Sequence, residues 1–152
     1  PFEEQRGYSI GLTDTLTKFA NVTGDADTYP RFYIFAGVNG PLTLQRLVNY
    51  TTGTALSFGV NGVTPYTLPT NETILIDTDP LNFSITHISA AGAKTDMPNI
   101  LIFSQSNVQN FYLVGSGANA MAFEGTTVIG ASVAMLWRNR WLSADGTIVC
   151  YE

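Results

Sequence analysis

The chain has 152 residues, a net charge of −5, 45% hydrophobic residues and only 12% charged ones, a charged share about half the usual ~25%. That length makes one ordinary domain or two very small ones. The seven cations form no run along the chain, which argues against a nucleic-acid groove, and no apolar stretch approaches the roughly 20 residues that cross a bilayer.

Helix signals are scarce. Only Ala118–Phe123 and Val133–Trp137 have an argument for helix, and both are short and flanked by Gly or β-branched residues. The first 20 residues, with Thr13-Asp14-Thr15-Leu16-Thr17-Lys18-Phe19, read either as an arm reaching a neighbouring subunit or as an edge segment. Arg31–Phe35 is an aromatic-rich strand, and Leu42–Tyr50 follows after a Gly40-Pro41 turn. Ala55–Val60 and Val63–Leu68 flank Asn61-Gly62. Asn-Gly tolerates the positive φ angles of a type I′ turn, so the pair predicts a β-hairpin. Pro65 lacks an amide proton and puts the second strand at an edge or bulge.

Glu72–Asp77 is the next strand, and in Leu81–Ile88 polar and apolar residues alternate as in a half-buried strand. Ala90–Pro98, small and polar, is the best candidate for an internal boundary. Beyond it Ile100–Phe103, Asn110–Val114 and Ser132–Trp137 read as strands, and a last hairpin joins Arg140–Leu142 to Thr147–Tyr151 across Ser143–Gly146. Short strands with regular turns predict an all-β fold, an antiparallel β-sandwich of jelly-roll or immunoglobulin-like kind. Residues 1–20 form the arm or edge segment and 21–95 the sandwich. Residues 96–152 form a β-rich C-terminal half, either a smaller lobe or part of the same domain.

The search for chemistry finds little. His87 is the only histidine, whereas a Ser or Cys nucleophile needs a base oriented by a third group. Its period-two neighbours Leu81, Phe83 and Ile85 place it on an apolar face. Cys150 is the only cysteine, so an intramolecular disulfide and a zinc cluster are both out of reach. It reads as a buried strand cysteine or as an intermolecular bridge. Asp25-Ala26-Asp27 and Asp77-Thr78-Asp79 are the only Asp-x-Asp pairs. Neither opens an EF-hand loop, and both lie where Asp serves turns. Gly115–Ala120 resembles a dinucleotide loop but reads as a β-turn, because no helix follows. Four sequons begin at Asn21, Asn49, Asn71 and Asn82; in a chain rich in Asn and Thr they read as compositional. No signal peptide is visible, and Pro1 fits either a trimmed initiator Met or an excised fragment. The expectation is a protein without catalytic residues, metal or cofactor.

Aromatic residues are the remaining feature: Tyr33, Tyr50, Tyr66, Tyr112, Trp137 and Trp141 offer partner-binding or sugar-stacking surface if exposed, and core if not. Of these, Tyr112, Trp137 and Trp141 are the candidate ligand or partner residues. Burial of both indoles would weigh against that role.

Two stretches resemble β-sandwich modules of phage virion proteins. One runs from Tyr29 to about Ile88. It comprises an aromatic strand, Leu42-Thr43-Leu44 through Asn49-Tyr50-Thr51, then Val60-Asn61-Gly62, Tyr66-Thr67-Leu68-Pro69-Thr70-Asn71-Glu72-Thr73-Ile74-Leu75-Ile76-Asp77 and Phe83–Ile88. The other, Gly130–Trp137 into Arg140-Trp141-Leu142, is similar to the closing hairpin of phage fibre and spike modules. Together they cover over half of the chain. The resemblance implies a structural virion protein, a capsid decoration, fibre or tail-attachment subunit. Such a protein is located in the virion and acts by homo-oligomeric assembly with itself and other virion proteins. Two alternatives stay open: a carbohydrate- or receptor-binding module engaging a host-surface glycan, and a pilus or adhesin subunit completed by a donated strand.

Overall fold

The structure, a computed structural model, describes residues 5–10, 17–126, 130–142 and 148–150. Its strands are β1 (Gln5–Ile10), β2 (Thr17–Val22), β3 (Arg31–Phe35), β4 (Leu42–Asn49), β5 (Thr54–Ser57), β6 (Tyr66–Leu68) and β7 (Thr73–Asp77). They are followed by β8 (Ser84–Ile88), β9 (Lys94–Asp96), β10 (Gly117–Thr126), β11 (Ser132–Arg138), β12 (Arg140–Leu142) and β13 (Ile148–Cys150). A six-stranded sheet runs β1-β11-β3-β7-β8-β9, and a second runs β2-β10-β4-β5 with β6 also on β4. Every pairing is antiparallel. The two sheets share one apolar core, which makes the fold an antiparallel β-sandwich, and β12-β13 form a separate two-stranded ribbon.

Alternation explains the layering. On β3, Phe32 and Ile34 are fully buried while Arg31 and Tyr33 face out; on β11, Val133, Met135 and Trp137 are buried between more open neighbours. Leu42, Leu44 and Leu47 of β4 and Met121 and Phe123 of β10 fill the layer from the other side, and Phe111 meets Phe32 edge-on at 5.8 Å and 71°.

The chain winds its halves together. Chain order takes β1 to the first sheet and β2 to the second. Likewise β10 enters the second sheet between β2 and β4, and β11 enters the first between β1 and β3. Residues 5–10 and 17–22 therefore are edge strands on the chain's own β11 and β10 rather than a free arm; residues 11–16 lie outside the described residues. The Ala90–Pro98 segment does not divide the fold either, because it contains β9, which pairs with β8. Strands from 21–95 and 96–152 sit side by side in both sheets.

Several local expectations need correcting. Ala118–Phe123 is part of β10 and Val133–Trp137 part of β11, neither helical. Asn61 and Gly62 do adopt positive φ, 51° and 77°, and Val60 and Val63 exchange both backbone hydrogen bonds across the turn. The hairpin stops there, because β5 and β6 each pair with a different stretch of β4. Pro65 precedes β6, a strand paired on one side only, where its missing N–H costs no ladder bond.

Ile100–Phe103 and Asn110–Val114 are not strands. The first joins two 3-10 turns, Pro98–Ile100 and Phe103–Gln105, and makes a single bridge from Leu101 to Phe58; the second contributes only a bridge from Leu113 to Thr28. This stretch nevertheless covers the open edge of β5: Gly59 N–H donates to Ile100 O, Ile102 N–H to Ser57 O and Asn107 N–H to Ala55 O, each at 2.8 Å. The closing hairpin is present as β12 paired with β13, with Cys150 opposite Arg140; its turn, Ser143–Gly146, lies outside the described residues.

Two buried asparagines fasten the loop before β10. Asn49 donates to Tyr112 O at 2.9 Å and accepts from Thr51 N–H at 2.9 Å. Asn119 accepts from Val114 N–H at 2.7 Å and donates to Val114 O at 3.1 Å. Both are fully buried, and local partners satisfy their amides, as burial of a polar group requires. Asn49 is thereby out of reach as a glycan acceptor, whereas Asn21, Asn71 and Asn82 are exposed.

Candidate functional site

A groove of about 550 Å³ opens at one end of the outer face of the six-stranded sheet. Small-ligand sites span roughly 300–1,000 Å³. Strand register builds its centre. The outward residues of β3, Arg31 and Tyr33, lie beside Leu136 and Ala134 of β11, and Arg31 is also opposite Asp77 of β7. Tyr33 is 38% exposed.

Two rims flank this centre. The first is the turn after β7. Asp77 Oδ1 accepts from Asp79 N–H at 3.1 Å, Asp79 Oδ1 accepts from Leu81 N–H at 3.0 Å, and Asn82 N–H donates to Asp79 O at 2.9 Å. Buried Thr78 ties the turn to the neighbouring chain by donating its hydroxyl to Pro30 O at 2.6 Å. Leu81 stands out at the tip, 89% exposed.

The second rim is the step from β11 to β12. Asn139 is fully buried and accepts from Thr23 N–H at 3.1 Å and Gly24 N–H at 3.3 Å. Strand alternation about this anchor sends Arg138 and Arg140 to the opposite side, and both line the groove. Arg140 is fixed further by a hydrogen bond from its Nη1 to Asp27 O at 2.9 Å. Its carbonyl accepts from Ala26 N–H at 3.0 Å. Gly24 is required here, because a Cβ would lie 2.3 Å from Arg140 O.

Three of the chain's five arginines thus meet at one place on an acidic protein. They are scattered at positions 31, 138 and 140, so the absence of a cationic run in the sequence gave no sign of their convergence. Arg31 Nε lies 3.4 Å from Asp77, with half of its side chain still exposed. Among the described residues Arg140 forms no ion pair.

The sequence-derived candidates are dispersed. Trp137 borders the groove but is only 6% exposed and packs in the core, so its ring is not available for stacking. Trp141 on β12 and Tyr112 before β10 are part-buried, and neither lines the groove. Of the remaining aromatics, Tyr33 and Tyr50 are exposed and Tyr66 is buried; burial raises the Tyr66 hydroxyl pKa, with Glu72 adding to it. The residues that sequence reasoning missed are Tyr29, Arg31, Arg138, Arg140 and Asn82. Only the alternation of β3 pointed to any of them.

Other chemical features are accounted for locally. His87 faces Glu72 through its Nε2, both largely buried. Asp27 Oδ1 accepts from Gly115 N–H at 3.0 Å, and Gly115-Ser116 is a turn leading into β10. Among the described residues no group of three or more His, Cys, Asp or Glu gathers at a metal-sized site.

The outer face of the second sheet has a different character. Outward Ala118 and Ala120 of β10 form a shallow valley between exposed Phe19 of β2 and Tyr50, which follows β4. Tyr50 N–H donates to Ala120 O at 2.8 Å. The one ion pair described on this face joins Arg46 to Glu124 through two bonds of 2.7 and 2.8 Å. That contact lowers the Glu124 pKa below the usual carboxylate range and raises that of Arg46. No protein-family model, curated protein or solved structure matches this chain.

Proposed function

We propose that the chain is a structural protein of a bacteriophage virion, a capsid decoration, fibre or tail-attachment subunit. It acts without catalysis or cofactor, by assembling with copies of itself and other virion proteins. The observation that carries this reading is the Phe19–Ala120–Tyr50 face. The open face of an antiparallel sheet is normally polar, yet Phe19 is 61% and Tyr50 54% exposed here. Arg46 and Glu124 already satisfy each other, so covering this face strands neither charge, which is the condition for an interface core.

A second copy is the occupant that suits such a face. Under a two-fold axis the aromatic ridge of one copy fits the alanine valley of the other, an isologous contact. The low charge of the whole chain and the resemblance of its strand pattern to phage modules support the virion setting.

The test is the native mass by sedimentation, together with what co-purifies with the chain in particles. Assembly into a defined oligomer is expected, and Ala120→Arg should convert it to a monomer of unchanged circular dichroism. A wild-type chain that stays monomeric at high micromolar concentration and is absent from particles would overturn the reading.

A further inference from the structure

We propose that the groove between the β7–β8 turn and the β11–β12 step binds an acidic saccharide, a sugar carrying a carboxylate. This goes beyond the assembly reading and concerns the opposite sheet face. Three observations bear on ligand chemistry. The first is charge: among the described residues, three arginines and two aspartates line the groove of a chain of net charge −5. Asp77 is already engaged with Arg31, and Asp79 with the turn. Arg140 spends one donor on a neutral carbonyl and, among the described residues, pairs with no carboxylate. An incoming carboxylate matches the planar donor fork of Arg in a way a neutral ligand does not.

The second observation is the aromatic surface. Tyr33 lies open at the sheet face, and Tyr29 also lines the groove. A ring of this kind offers a flat apolar surface with a polar tip, suited to the C–H face of a pyranose. The third is the supply of acceptors and donors along the first rim, from Asp79 and exposed Asn82, which complement hydroxyl groups. A nucleic-acid strand fits less well, because the arginines are gathered in one groove of about 550 Å³ and form no track along which successive phosphates could be neutralised.

Both rims are pre-set. Thr78, Asn139 and the close approach at Gly24 fix the backbone on either side, so ligand binding pays little ordering entropy.

Calorimetric titration of the full chain provides the test, with sialyllactose and a hexuronate tetrasaccharide as probes, and lactose and a neutral tetrasaccharide as controls. At least one acidic probe should bind about tenfold or more tighter than its neutral counterpart, and added salt should weaken it. Arg140→Gln should reduce that affinity by about tenfold. Tyr33→Ala should also reduce it, whereas Tyr33→Phe should retain most of it. Because Tyr33 projects from the sheet, its variants remain informative even if Arg140→Gln perturbs folding. Equal binding of acidic and neutral probes, no binding of either acidic probe at millimolar concentration, or displacement of a bound probe by a short oligonucleotide would each overturn the proposal. Ala120→Arg should leave sugar binding intact, so failure of assembly and failure of the groove are separable.

Discussion

Replacing Asn119 by Leu tests how the loop that carries Tyr112 is held. The two side chains are close in size, so the change removes polar contacts with little change of volume. Asn119 has no exposed surface. It makes two firm bonds to Val114, at 2.7 and 3.1 Å, and two longer ones at 3.4 Å, with Asn49 Nδ2 and Ala20 O. Leu orphans the Val114 amide and carbonyl and one contact of Asn49. A buried polar group left without its partner costs about 1–3 kcal/mol. Val114 is only part-buried, so water recovers some of that, and a loss of about 3 kcal/mol is expected. For a domain of this size that corresponds to a fall in Tm of roughly 6–12 °C. Chemical denaturation should show the midpoint falling at constant slope, and hydrogen exchange should quicken at Val114. A loss below about 1 kcal/mol, or unchanged protection at Val114, would refute the role of the asparagine pair.

Gly24→Ala should destabilise the fold by about 1–3 kcal/mol, because the new methyl meets Arg140 backbone that cannot swing aside. The same variant should weaken any ligand held by Arg140; a denaturation midpoint equal to wild type would contradict the close approach. Glu124→Gln probes the Arg46 ion pair by pH. The folded-state pKa of Glu124 is depressed, so its contribution is present above the unfolded carboxylate pKa and is lost as pH falls through the folded value. Thermal melts should therefore separate wild type from variant near neutrality, by no more than about 1 kcal/mol for so exposed a pair, and converge in acid. A gap that persists at the acid end would rule this out.

Where alternation decides both strand and face, the sequence was readable. Arg31–Phe35 emerges as β3 with the same bounds, and Ser132–Trp137 extends by one residue into β11. The Asn61-Gly62 turn is likewise local chemistry, and it forms. What followed the turn was not legible, because whether β5 pairs with β6 or with β4 depends on competition between distant ladders. Runs such as Ile100–Phe103 record burial but not backbone form: Ile100, Leu101 and Ile102 are buried, yet they lie in the passage from one 3-10 turn to the next, with one isolated bridge and no strand. The groove was least legible of all. Arg31 stands more than a hundred positions from Arg138 and Arg140, and only the register of β3 against β11 brings them together. Trp137 misled for a related reason, since an indole at an inward register position is core whatever its chemistry suggests.

The interleaving of β10 and β11 between the N-terminal strands carries a kinetic consequence. Neither β1 nor β2 has a partner until the chain has grown past residue 117 and then 132. At ribosomal rates of about 5–20 residues per second, β2 waits on the order of 5–20 s for β10. During that time the nascent chain holds β4 and β3 with edges open for β10 and β11 to enter. Such sequence-distant closure slows folding and makes the unfinished sheets targets for pairing with a neighbouring nascent chain. The stretch from Gly117 to Arg138 therefore sets the time at which each molecule stops being able to tangle with the next.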